Sequence, residues 1–180
     1  MPVEFRDQLV ATISGLRAFG MSLTGRADRA DDLVQETLMK AWHHQNSFEP
    51  GSNLKAWLYT ILRNEFYTQL RKRRREVEDA DGAYSSKVAS PGEQDGHLDM
   101  ADMKIALAQL PADQREAIIL VGASGFSYQE AAEISGVAVG TVKSRVSRAR
   151  ERLSILLGEK PQKPADSGTS AAALSMPPEN

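Results

Sequence analysis

Cysteine is absent from all 180 residues, so neither a disulfide nor a thiolate metal site can form. Aromatic residues reach only 6%, while Leu, Ala and Ile supply much of the apolar content, a balance that suits helices better than sheets. No apolar run approaches the roughly 20 residues that a membrane-spanning helix needs. The first stretch, "MPVEFRDQLV", lacks the basic start and apolar core of a secretion signal. These absences point to a cytoplasmic protein with no membrane insertion. The length leaves room for one domain or two small ones.

What is present is a globular composition, 41% hydrophobic and 26% charged, with charge sorted into blocks. The net charge of −2 conceals them. Between Asn53 and Arg75 seven cations face only Glu65; between Glu76 and Asp102 eight acids face only Lys87; between Val139 and Leu153 five cations face only Glu151. Two basic blocks separated by an acidic one imply two surfaces for a polyanion, joined by a segment that a polyanion would repel.

Helical periodicity organises the chain. Residues 4–25 carry Phe5, Leu9, Ile13, Leu16 and Phe19 at helical spacing. "ADDLVQETLMKAWHH" places Leu33, Val34, Leu38, Ala41 and Trp42 on one face, and Asp31–Asp32 read as an acidic helix start. "NSFEPGSN" breaks the pattern, with Asn53 as the expected cap of a third helix whose inner face holds Leu54, Trp57, Leu58, Ile61 and Leu62. Residues 75–98, acidic and rich in Gly and Ser, read as a linker. Helix returns at "MADMKIALAQL" and again after Pro111 as "ADQREAIILVGAS". Residues 159–180 are polar, with the composition of a disordered tail. The expectation is an all-α protein of two small helical domains.

The last pair of helices carries the strongest local signal. In "SYQEAAEISGVAVGTVKSRVSRARERL" a helix, a tight turn at Gly136 and a second helix follow one another, the helix-turn-helix arrangement. Ser127 and Glu130 have the spacing of a capping box. Val139, Val142, Val146, Ala149 and Leu153 form the inner stripe of the second helix. Thr141, Lys143, Ser144, Ser147 and Arg148 lie on the other arc, where cations and hydroxyls reach phosphates and base edges. A solvated surface helix would show the same charges, but not a braced turn before them. In "RNEFYTQLRKRRR" cations stand beside Phe66 and Tyr67, aromatics that suit either unstacked bases or an ordinary core.

Enzymatic motifs are missing. "GASG" lacks the spacing of a nucleophile elbow, and no glycine-rich phosphate loop is present. His43 and His44 are adjacent, so a helix points them about 100° apart rather than at one metal. No enzyme activity, cofactor or metal is expected.

Five stretches, in this order, carry a resemblance: "DDLVQETLMKAW", "LKAWLYTILRNEF", "LPADQREAIIL", "SYQEAAEISGV" and "VGTVKSRVSRARERL". They resemble the bacterial extracytoplasmic-function (group IV) RNA polymerase sigma factors over residues 4–157. "ILVGASGFSYQEAAEISG" resembles the alphaproteobacterial general-stress-response branch of that family. The resemblance implies a sigma-2 domain at 1–74, an acidic linker at 75–98 and a sigma-4 domain at 99–158, with no separate sigma-3 domain. It implies a protein that binds core RNA polymerase, brings it to promoters of stress-response genes and assists melting, under anti-sigma control.

By position, Asp32, Leu33, Gln35 and Glu36 would contact the beta-prime clamp coiled coil, and sigma-4 would grip the beta flap. Asn53, Lys55, Arg63, Asn64, Tyr67 and Arg71 would serve the −10 element, with Asn64 foremost for a base. Thr141, Lys143, Ser144, Ser147 and Arg148 would serve the −35 element, although many relatives carry a bulkier residue where Ser147 stands. Two rivals are a simple helix-turn-helix regulator, which needs no second basic module, and a sigma-mimicking decoy for an anti-sigma protein. A decoy has no use for "RKRRR" or "KSRVSRAR", and the stretch after residue 158 is too short for a receiver domain.

Overall fold

The computed structural model describes residues 3–79 and 98–158, with side chains over 5–76 and 101–158. Within them the chain forms seven α-helices and no strand. The first, α1 (Val3–Thr24), buries Leu9, Leu16 and Phe19, the spacing read from the sequence. A short turn leads into α2 (Ala27–His43), which contributes Leu33, Val34 and Ala41 to the same core. Asn53 then caps α3 (Leu54–Asp79): its Oδ1 accepts the Ala56 N–H at 3.0 Å, replacing one missing helical partner. Leu54, Leu58 and Leu62 are buried, with Trp57 and Ile61 packed at the margin.

Three details correct the expectations. Helix α2 begins at Ala27, a turn earlier than expected, so Asp28 rather than Asp31–Asp32 occupies its acidic first turn. Asp31 instead takes a bidentate grip from Arg17 on α1, Nε at 2.5 Å and Nη2 at 3.2 Å. Trp42 was expected inside and is 50% exposed, because one step beyond the buried Ala41 turns a side chain by about 100°. The expected linker start at 75 is helical through Asp79; the rest of the acidic segment, 80–97, and the tail, 159–180, lie outside the described residues.

Helices α1 and α3 meet closely at Gly15. A Cβ there would lie 2.7 Å from the Tyr59 hydroxyl, so a larger residue would force a shift of this buried ring, which stacks on Phe19 with centroids 5.0 Å apart.

The second half comprises α4 (Leu98–Ala108), α5 (Ala112–Ile118), α6 (Tyr128–Ser135) and α7 (Val139–Leu156). Helix α5 starts straight after Pro111, which suits a first-turn position with no N–H to lose. It widens into a π turn over Ile119–Ala123, closed by Ser124 N–H to Ile119 O at 2.8 Å. At α6 the capping box is complete in both directions between Ser127 and Glu130. Gly136 ends α6 in the left-handed region, φ 66°, which frees the chain to reverse into α7. Val142, Val146, Ala149 and Leu153 are buried beneath α7, as the stripe required. The two halves are not separate in this structure. Tyr59 of α3 meets Phe126, just before α6, edge to face at 4.9 Å, and one apolar cluster runs from Phe19 through Tyr59 to Leu120 and Val146.

Candidate nucleic-acid and polymerase interfaces

The outer face of α7 is available. Lys143, Ser144, Ser147 and Arg148 are exposed, and Thr141 is partly so. Arg145 is not part of that face: its Nε pairs with Asp113 of α5 at 3.2 Å, which ties α7 to its bracing helix. Ser144 Oγ donates to the Thr141 carbonyl at 2.9 Å, leaving its lone pairs outward. A cation, two hydroxyls and a guanidinium on one exposed arc supply what phosphates and major-groove edges accept and donate.

On α3 the cationic face divides. Asn64 and Arg71 are exposed, and Asn64 borders two grooves. One, of about 400 Å³, is lined by Arg63, Tyr67, Thr68, Leu70, Arg71 and Arg74. The other, of about 360 Å³, lies against α2, with Trp57 and Ile61 as its apolar lining and Lys40 and His44 at its polar edge. An amide between an apolar pocket and a guanidinium pair fits a base on one side and phosphates on the other. Phe66 is partly buried against the core, edge-on to Tyr67 at 5.1 Å.

The remaining α3 candidates are occupied by the second half of the chain. Arg63 Nε donates to Glu116 Oε1 of α5, and the Tyr67 hydroxyl donates to Glu116 Oε2 at 2.7 Å. Asn53 Nδ2 donates to Glu130 Oε1 at 2.7 Å. Lys55 Nζ donates to the Ser124 carbonyl and sits 4.8 Å from the Phe126 ring centre. Burial, and then the Glu116 charge, push the Tyr67 phenol up to about 12. Glu116 was not singled out by sequence reasoning. An acid in "DQREAI" reads as solvated, yet it is 2% exposed and also accepts from Ser135 Oγ at 3.2 Å.

Helix α2 presents the third face. Asp32 and Gln35 are exposed and Glu36 is half-buried beside Lys40 at 3.8 Å. Leu33 is the exception among the expected polymerase contacts. It is 1% exposed and belongs to the core, because the i, i+4 stripe with Thr37 and Ala41 turns it inward. Met39 and Trp42, which sequence reasoning left out of this face, are about half exposed and extend it at three-residue steps from Glu36.

Sigma-70 region 2 matches residues 11–76 and Sigma-70, region 4 matches residues 105–153. The ECF RNA polymerase sigma factor EcfG of Rhodopseudomonas palustris (strain TIE-1) is 62% identical over 154 residues, which cover 86% of this chain and 85% of EcfG. The chain belongs to the extracytoplasmic-function RNA polymerase sigma factors. Among solved structures, the sigma factor RpoE of Bartonella quintana, in complex with the anti-sigma factor NepR, superposes with a TM-score of 0.77 at 62% identity. That match covers 86% of this sigma factor and 97% of RpoE. CnrH in complex with the cytosolic domain of CnrY gives a TM-score of 0.61 at 30% identity, covering 84% and 86%. This places the sigma factor with the alphaproteobacterial stress-response branch. The region 2 match contains the α2 and α3 faces, and the region 4 match contains the α7 face. Its task is promoter recognition for RNA polymerase, without catalysis of its own. Among the described residues no helix is long and apolar enough to cross a membrane.

Proposed function

We propose that this sigma factor starts transcription of stress-response genes through three faces with separate duties, under the restraint of an anti-sigma factor. Helix α2, through Asp32, Gln35, Glu36, Met39 and Trp42, docks on the beta-prime clamp coiled coil, and the second domain holds the beta flap. Helix α7 reads the −35 element through Lys143, Ser144, Ser147 and Arg148, and α3 takes the −10 strand through Asn64, Arg71 and the neighbours now held by the second domain. The domains correspond to the helices before residue 80 and after residue 97, and the working compartment is the cytoplasm, where polymerase acts.

One observation carries this reading: two cationic helical faces, on two different domains, beside a half-exposed apolar and acidic stripe on α2. A simple operator-binding regulator needs only the α7 face. The anti-sigma partner is drawn from RpoE of Bartonella quintana, whose complex with NepR involves a chain 62% identical to this one.

Run-off transcription with purified protein and sigma-free core polymerase, on a promoter library, tests the proposal. Discrete transcripts that require the protein, and that disappear when an anti-sigma protein of the NepR kind is added, are expected. A folded protein that leaves the output of core polymerase unchanged on every template overturns it.

A further inference from the structure

The polar contacts that join the two domains fall largely on the −10 face and spare the −35 face. Arg63 and Tyr67 both end on Glu116, Asn53 ends on Glu130, and Lys55 ends on the Ser124 carbonyl and the Phe126 ring. Lys143, Ser144, Ser147 and Arg148 meanwhile remain exposed. Apolar packing, with Tyr59 against Phe126, accounts for part of this junction but not for its polar part. Here the donors taken up are those that would meet a nucleic-acid strand, and each acceptor is an oxygen carrying full or partial negative charge. The Glu116 carboxylate offers two acceptor oxygens to a guanidinium and a phenol, as the two non-bridging oxygens of a phosphate diester would.

We propose that Glu116 is an internal phosphate mimic, which keeps the free protein closed and the Arg63–Tyr67 part of its −10 face engaged, while Asn64, Arg71 and the −35 face stay exposed. Glu116 is well placed for this. It is almost wholly buried, and its third bond, from Ser135, holds it in place from within its own domain. Breaking the closed form strips Arg63 and Tyr67 from a buried carboxylate and separates Tyr59 from Phe126. Engagement of the −10 strand by the whole face, Arg63 and Tyr67 included, needs molecules that have opened, so its apparent affinity falls with the open fraction. Duplex binding by α7 carries no such cost.

This inference rests on the −10 assignment of α3, and the test separates the two. The substitution Glu116→Gln keeps shape and one acceptor oxygen but removes the charge. It is expected to raise the affinity of the free, full-length protein for a fluorescent single-stranded −10 oligonucleotide on the order of ten-fold. Affinity for a −35 duplex stays constant and shows that the second domain is intact. The absence of cysteine permits a second measurement with Glu116 in place. Dyes on Gln8→Cys and Glu151→Cys, both exposed positions, report the distance between domains. Saturating −10 strand is expected to lower energy transfer between them, and the −35 duplex is expected to leave it unchanged.

Equal strand affinity for the parent and a folded Glu116→Gln protein overturns the mimic. If that variant does not fold, constant energy transfer at saturating strand overturns it instead. Run-off transcription from the same preparations keeps the sigma activity distinct. Transcripts with no opening signal sink the occlusion alone, and opening without transcripts sinks the sigma reading alone.

Discussion

Lys143 and Arg148 are both exposed on α7, yet their chemistry differs. A guanidinium can engage a guanine edge through two parallel hydrogen bonds, whereas an ammonium is a compact charge best matched to phosphate. Arg148→Ala is therefore expected to cost about 1–3 kcal/mol on the preferred −35 sequence and much less on others. Lys143→Ala is expected to weaken every duplex alike and to lower the salt slope by about one. Equilibrium binding to matched and mismatched duplexes over a salt series distinguishes the two. Unchanged affinity for both variants removes α7 from the −35 assignment. The same face shows what a residue pattern can disclose. Val142, Val146 and Ala149 had to point inward, so their outward neighbours followed from the helical repeat alone. Arg145 did not follow, because its engagement depends on Asp113, thirty-two positions away on a different helix.

Helix α6 begins and ends where local chemistry says it should. Ser127 accepts the Glu130 N–H at 3.1 Å while Glu130 Oε2 takes the Ser127 N–H at 2.8 Å. The Ser127 N–H and then the Ser127 hydroxyl, both donating to it, hold the Glu130 carboxyl below its ordinary range. Ser127→Ala is expected to remove about 1 kcal/mol of stability, read by thermal or urea unfolding. Because α6 braces α7, the loss should be accompanied by weaker −35 binding; unfolding indistinguishable from the parent's would show the box to be idle. Capping boxes span four residues, which is why this one was legible in the sequence. Faces of a helix are less legible at their margins. Leu33 lay inside as its spacing required, but Trp42 stands one step past the buried Ala41, and the packing of α1 and α3 leaves it uncovered. The exposed arc that results, from Asp32 through Glu36 to Met39, makes its own prediction. Glu36→Lys is expected to weaken core-polymerase binding on the order of ten-fold, since a reversed charge in an interface repels as well as ceasing to attract. The domain should remain folded, because an exposed i, i+4 pair such as Glu36–Lys40 is worth only about 0.3–0.5 kcal/mol. Co-purification with core polymerase at limiting concentration measures the effect, and parent-like binding would exclude Glu36 from the contact.

At the scale of the whole molecule, two properties were unequally visible. The order of the domains and their charges was legible because composition and helical period are carried by neighbouring residues. The closed arrangement was not. Arg63 meets Glu116 across 53 positions and Asn53 meets Glu130 across 77, and no local pattern announces such pairs. The charge blocks, in contrast, make a prediction that depends on no side-chain contact. Eight acids and a single lysine lie between the two cationic modules, from Glu76 to Asp102, although a neutral polar sequence would connect them as well. Each acid raises the energy of bringing a phosphate near. For a separation of about 12 Å, on the order of the screening length at 0.1 M salt, one charge pair in water is worth roughly 0.35 kcal/mol. Converting Asp79, Asp81, Glu93 and Asp95 together to Asn or Gln therefore removes about 1.4 kcal/mol of repulsion, a factor on the order of ten in affinity for non-specific duplex. The gain should be greatest near 0.01 M salt, where the screening length is about 30 Å, and should vanish towards 1 M, where it is about 3 Å. Titrating a promoter-free duplex with the parent and the neutralised protein over that range measures it. Coincident curves at every salt concentration would mean that the acidic segment does not repel DNA from the free protein, and that its charge serves solubility or a contact within polymerase.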